Sequence, residues 1–305
     1  MIYFLVFAPN FLKLNNLTNL LTQTTIPSLL VTGVAMVVIS GGMDLSVGST
    51  LALSGCICGL MLRAGLPLLL CIAVGILTGT LIGLLNGLMI AKMRLPSFIA
   101  TLAMLNMASG LTNTLSGKKP IYWDANPVLN FIGNGKLLGM PIFVIIGFSV
   151  IAIVIFFFYR TRLKTYTYAL GGNEEVLHLS GISVTKWKLI VYSLSGFLAG
   201  VAGMMMIARA NCADPTSGTG LEFSAVVGAV IGGNVQKTGK GTLFGALLGA
   251  ITLSVLRNGM SLMMLQTHWQ MVITGIVLVF GMLIHDLSVK QEIKQRLRDS
   301  RGGTD

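Results

Sequence analysis

Long apolar runs, parted by short polar segments, constrain this chain more than any other feature. After a short apolar start they fall at 26–43, 45–63, 66–91, 95–116, 139–159, 189–209, 219–235, 241–258 and 269–287. A bilayer core takes about 20 mainly apolar residues of helix, and lipid offers the backbone no hydrogen bonds, so runs of this kind are expected to cross as helices. The fold expected is an all-α membrane protein, a polytopic helical bundle of about ten transmembrane helices within a single domain, 1–305. With 54% apolar and 10% charged residues and a mean hydropathy of +0.83, a soluble core is excluded. The run at 1–8 is too short to span: either it tilts in with neighbours or the first span is incomplete. No basic leader with a cleavage site precedes the polar stretch at 13–25.

Charge placement gives the orientation. If the tail at 289–305 is cytoplasmic, the inner loops and tail hold 14 of the 21 basic residues, while Lys13, Arg63, Lys118, Lys119 and Lys136 face out. Both termini are then expected inside, with the loop at 117–138 outside and its Tyr122 and Trp123 as interfacial anchors. The net charge of +11 comes from basic residues at the ends of apolar runs, so it is topogenic and points to no nucleic acid.

The segment 160–188 has to lie in water, and it carries seven charged residues between two apolar runs. It opens with Arg160, Arg162 and Lys164. A turn signal, Gly171-Gly172-Asn173, then leads into a short helix that Asn173 can cap, with Glu174 and Glu175 at the positive end of its dipole. Val176 and Leu179 fall three apart on one face and Gly181 can stop the helix. So short a helix is marginal alone. It is either a docking element held by another chain or an ordinary turn packed on its own bundle.

An internal repeat is visible. GTLIGLLNG at 79–87 matches GTLFGALLG at 241–249, each with glycines four apart twice over, the spacing that lets helices approach closely in lipid. The two copies run in opposite senses, as two inverted five-helix halves require. Chance is the competing account, since the chain has 37 glycines.

Catalytic signatures are missing. No phosphate-binding loop, zinc-protease motif or nucleophile elbow occurs, and no metal-ligand set, so neither a cofactor nor a metal is expected. Cys56, Cys58 and Cys71 lie in apolar runs and read as small core residues. Ionisable groups within spans carry a large insertion penalty and need a reason. Asp44, in GGMDLSVG at 41–48, either starts a broken helix that lines a polar cavity or caps an interfacial turn. Arg209 and Glu222 flank the outer loop and either pair with each other or meet a ligand. Asn86, Asn106 and Asn258 suit a hydrophilic path, and interhelical hydrogen bonding explains them equally well.

Five ordered stretches, GGMDLSVGSTLALSG at 41–55, LPSFIATLAMLNMASGL at 95–111, YALGGNEEVLHLSGI at 168–182, GTGLEFSAVVGAVIGG at 218–233 and GKGTLFGALLGA at 239–250, resemble the ribose-type monosaccharide permeases of bacterial ABC importers. That resemblance implies an inner-membrane subunit that works as one of a permease pair, homo- or heterodimeric, with cytoplasmic ATPase subunits and a periplasmic sugar-binding protein. It implies that Gly172, Asn173, Glu174, Glu175 and Gly181 engage the ATPase. Asp44, Asn86, Asn106, Arg209 and Asn258 are the translocation-path candidates, chosen on bilayer cost and position. The solute stays open among ribose, other monosaccharides and sugar-like signals such as autoinducer-2. Two other functions compete: an ion-coupled secondary transporter with Asp44 and Glu222 as coupling carboxylates, and a membrane scaffold without a path.

Overall fold

The computed structural model describes residues 11–279 apart from Lys237, Thr267, Met271 and Leu278. The short run at 1–8, the end of the last expected span and the tail at 289–305 lie outside the described residues. The chain forms two units, 12–254 and a second one that includes 255–279. In the second, the end of a helix is followed by a turn at Met264 and a further helical stretch at 272–277, where Gln270 donates to Ser261 Oγ and to the Leu265 carbonyl.

The larger unit is helical, with one two-residue hairpin. Its elements are α1 (Leu14–Ile39), α2 (Val47–Arg63), α3 (Leu68–Ala91), α4 (Ser97–Ser116), α5 (Pro127–Asn134), β1 (Lys136–Leu137), β2 (Met140–Pro141), α6 (Ile142–Arg160), α7 (Arg162–Gly172), α8 (Glu174–Leu179), α9 (Val184–Ala210), α10 (Leu221–Ile231) and the start of α11 (Leu243–Leu262). Five of these, α1, α3, α6, α9 and α11, are long and apolar enough to cross a membrane; α2 and α10 are shorter apolar helices.

Two elements differ from their expected bounds for physical reasons. Helix α1 starts at Leu14 rather than near 26, because its threonines satisfy themselves: Thr18, Thr22, Thr24, Thr25 and Thr32 each donate to the carbonyl four residues back at 2.6–2.8 Å. Polar side chains bonded in this way need no water, so α1 runs on through Pro27 into the core. The run at 219–235 shrinks to the eleven residues of α10, which Gly220 opens and Gly232 closes.

In the loop at 117–138, Trp123 packs in a cluster with Cys56, Cys58 and Cys71, close to Gly59, while Tyr122 is exposed. Ile121 pairs with Ala213 through two backbone hydrogen bonds of 2.9 and 3.0 Å. The three cysteines are buried thiols, as small core residues should be.

The core sits where α9 lies on α3, with α1 and α2 packed on α9 as well. Helix α3 presents Gly79 and Gly83, and α9 presents Gly196 and Gly200. A methyl group on Gly79 would sit 2.5 Å from the Gly196 carbonyl oxygen, and one on Gly83 would collide with the Tyr192 carbonyl. The second glycine stripe behaves alike: Gly245 and Gly249 of α11 meet the backbone of Gly232 and Gly228. In lipid, where burial of apolar surface gives helices no mutual attraction, such close backbone contact is what holds them. Gly83→Ala should therefore lower stability by about 1–3 kcal/mol through overpacking. Gly110→Ala, with nothing within 4 Å, should leave stability unchanged or raise it. Thermal unfolding of the detergent-solubilised protein measures both.

Candidate functional site

Helices α7 and α8 form the segment at 160–188. Thr161 Oγ1 accepts from the Leu163 amide and starts α7. Gly171 does not turn the chain: it ends α7 against the Ile39 carbonyl at the end of α1, where a side chain would not fit. Tyr168 of α7 donates to the Gly241 carbonyl, so α7 is fastened to the connection before α11.

Asn173 caps α8 as the sequence led us to expect, its Oδ1 accepting from Glu175 N at 2.9 Å and Val176 N at 3.1 Å. The stop is equally clear. Gly181 has φ +76°, its amide donates to the His178 carbonyl, and Ile182 donates to Leu177, the paired bonds of a left-handed helix terminus. Ser183 Oγ then accepts from Lys186 N and opens α9. Leu177 is buried beneath α8, whereas Val176 and Leu179 are 57% and 78% exposed, leaving an apolar pair on its outer side. Glu174 reaches Lys188 of α9 at 2.6 Å, the ion pair found among the described residues.

Beside α8 lies a cavity of about 1030 Å³. Its walls come from four places: Gly41 to Met43 after α1, Arg94 and Ser97 before and at the start of α4, Tyr192 of α9, and Gln236. Glu174, Glu175 and His178 of α8 and Lys188 of α9 complete it. Charged groups of both signs, a histidine, hydroxyls and an amide make it a polar chamber, walled on one side by α8. Gln236 Nε2 donates to the Gly42 carbonyl at 3.0 Å and ties the connection after α10 to the same rim.

Asp44 is 1% exposed and fully engaged. Its Oδ1 accepts from Ser46 N at 3.0 Å and Ser46 Oγ at 2.7 Å, and its Oδ2 accepts from Ser195 Oγ of α9 at 2.8 Å. Asn86 of α3, wholly buried, donates to Ser46 Oγ at 2.8 Å. The Tyr192 hydroxyl donates to the Met43 carbonyl at 3.3 Å. Asp44 and Asn86 thus knot the turn after α1 to α9 and α3, and neither lines the chamber.

The same turn recurs after α9. Asp214 Oδ1 accepts from Thr216 N and Thr216 Oγ1, both at 2.8 Å, as Asp44 does from Ser46. Each aspartate is followed four residues later by a glycine, and Gly48 and Gly218 touch: the backbone of each fills the space where the other's side chain would be. A small cavity of about 80 Å³ lies at this crossing, lined by Ser49, Leu105, Ser109, Pro215 and Thr219 with Glu222. This crossing went unnoticed in the sequence, although the paired D-x-[S/T]-x-G spelling was there to find.

The remaining candidates are scattered. Arg209 and Glu222 do not pair: the Arg209 guanidinium lies 5.4 Å from the Phe143 ring centre, and Glu222 accepts from Gly220 N at 3.1 Å. Asn106 is exposed on α4 and bonds back to the Leu102 carbonyl. Asn258 is buried on α11.

The profile of the family described as branched-chain amino acid transport system / permease component matches residues 16–282. The ribose import permease protein RbsC of Escherichia coli (strain K12) is 38% identical over 280 residues, 91% of this chain and 87% of the relative. RbsC of Bacillus subtilis (strain 168) is 35% identical, covering 92% and 87%. The D-allose transport system permease protein AlsC of E. coli (strain K12) is 34% identical, covering 92% and 86%. No solved structure matches. On this similarity, which runs from α1 past the end of α11, the chain belongs to the branched-chain amino acid transport system / permease component family, as a helical, multi-pass inner-membrane permease of the ribose-type ABC importers.

Proposed function

We propose that the chain moves a monosaccharide, a ribose-like pentose, inward across the bacterial inner membrane by alternating access, and that α8 receives the stroke of the ATPase. As an ABC permease it is not itself the ATPase, and it acts with a separate ATPase subunit and a binding protein. The solute class rests on relatives named for ribose and D-allose, and on the L-arabinose permease AraH of Azospirillum brasilense at 32% identity. Selectivity lies mainly in the binding protein, and this chain supplies a weakly polar conduit.

The observation that carries the reading is that one six-residue helix does two things. Its inner side, Glu174, Glu175 and His178, walls the chamber, and its outer side offers Val176 and Leu179. A push on the outer side therefore reshapes the chamber directly. In this account 160–188 is the cytoplasmic coupling loop, the chamber is the inner mouth of the path, and both termini are cytoplasmic. About ten spans form two inverted halves, which the matched turns at Asp44 and Asp214 and the reciprocal Gly48–Gly218 contact support. A second permease subunit completes the path along the face of α4 that exposes Asn106, with Arg209 toward the outer end.

Leu179→Asp and Val176→Asp alter exposed side chains on the outer side of α8, so folding should be unaffected. Each should reduce recovery of the ATPase subunit by about tenfold or more and abolish uptake. Co-purification and sugar uptake measure this, and normal values for both variants would defeat the coupling role.

Asp44→Ala removes the acceptor shared by Ser46 and Ser195 and should cost about 1–3 kcal/mol of stability. Asp44→Asn keeps an oxygen for Ser46 and should retain both fold and uptake. Lost uptake in a stable Asp44→Asn protein would instead put Asp44 on the translocation path.

A further inference from the structure

Between α6 and the first turns of α11 runs a second, chemically different groove of about 510 Å³, inside the roughly 300–1,000 Å³ range of small-molecule sites. Phe148, Phe156, Phe244 and Leu247 line it, and Tyr159 and Arg160 close one end. Tyr159 joins the two walls: its ring stacks on Phe244 at 5.8 Å, and its hydroxyl accepts from the Leu243 amide at 3.3 Å.

Positive charge gathers at that one end. The Arg160 guanidinium lies over the Phe156 ring at 5.9 Å, and Lys164 Nζ over the Tyr159 ring at 5.1 Å. Both rings belong to the groove, so the cations are held above its mouth. No carboxylate lines the groove, and the ion pair among the described residues, Lys188–Glu174, uses neither cation. Helix α6 is apolar until it ends at Arg160, the depth at which a spanning helix leaves hydrocarbon and meets headgroups. An apolar channel at lipid depth with two cations at its polar end is complementary to an amphiphile carrying negative charge at its head.

We propose that this groove binds one acyl chain of an anionic phospholipid, with the lipid phosphate held by Arg160 and Lys164. The lipid would brace α6 against α11 directly beside α7, so the site also links membrane charge to the segment that carries α8.

The test is native mass spectrometry of the whole chain purified in detergent. It is titrated separately with phosphatidylglycerol, phosphatidylcholine of the same chains and glycerol 3-phosphate. Phosphatidylglycerol should be retained at least fivefold better than phosphatidylcholine, and glycerol 3-phosphate should not be retained. Arg160→Gln and Lys164→Gln should each lower phosphatidylglycerol retention by roughly fivefold and leave phosphatidylcholine unchanged. Ala152→Trp, on the exposed groove wall, should lower retention of both lipids, and thermal unfolding checks that each variant is folded. Equal retention of the two lipids, retention of the headgroup alone, indifference to all three substitutions, or a lipid-free dimer with the groove covered by a second copy would each overturn the proposal.

Discussion

Helix α9 can lie on α3 only because Gly79 and Gly83 face Gly196 and Gly200, and the rest of the larger unit depends on that approach. Lipid-facing helices gain little from burying apolar surface, so backbone proximity and the hydrogen bonds it permits supply the attraction. With α9 fixed in this way, Ser195 reaches Asp44, Tyr192 reaches Met43, and Lys188 reaches Glu174. A single helix thereby holds the turn after α1 at one level and α8 at another. A close-packed glycine contact of this kind leaves almost no slack between the two.

Burying the turn after α1 required a solution to its charge. Asp44 accepts three hydrogen bonds from Ser46 and Ser195, and Asn86 completes the chain through Ser46. A carboxylate engaged in this way has little left to offer a passing solute, and Asp44 does not line the polar chamber. The chamber draws its polarity from Arg94, Ser97, Glu175, His178 and Gln236, residues at helix ends and in connections, where a chain can alternate between two arrangements without breaking a span.

Much of this was legible in the sequence because it is local. The helical class follows from the apolar runs, and the start and stop of α8 follow from Asn173 and Gly181, whose partners lie within three to five residues. The four-residue glycine spacing at 79–87 showed that α3 would be closely approached, but not that α9 would do so. Other features were hidden because they are made by distant parts of the chain. Asp44 meets Ser195 across most of the larger unit, Gly171 looks like a turn until Ile39 is placed against it, and the chamber needs five separate segments. Helix α1 starts earlier than expected for a different reason: the threonines of the polar stretch at 13–25 are satisfied inside the helix that the stretch was expected to precede.

The most direct measurement is chemical access to the chamber. With Cys212 replaced by serine, leaving three buried native thiols, a cysteine in place of Ser97 would be modified by a water-soluble maleimide in membranes that contain the assembled ATPase subunit, with and without a non-hydrolysable ATP analogue. If α8 transmits nucleotide binding to the chamber that it walls, the modification rate should change several-fold between the two conditions. Identical rates in a fully assembled complex would contradict the account.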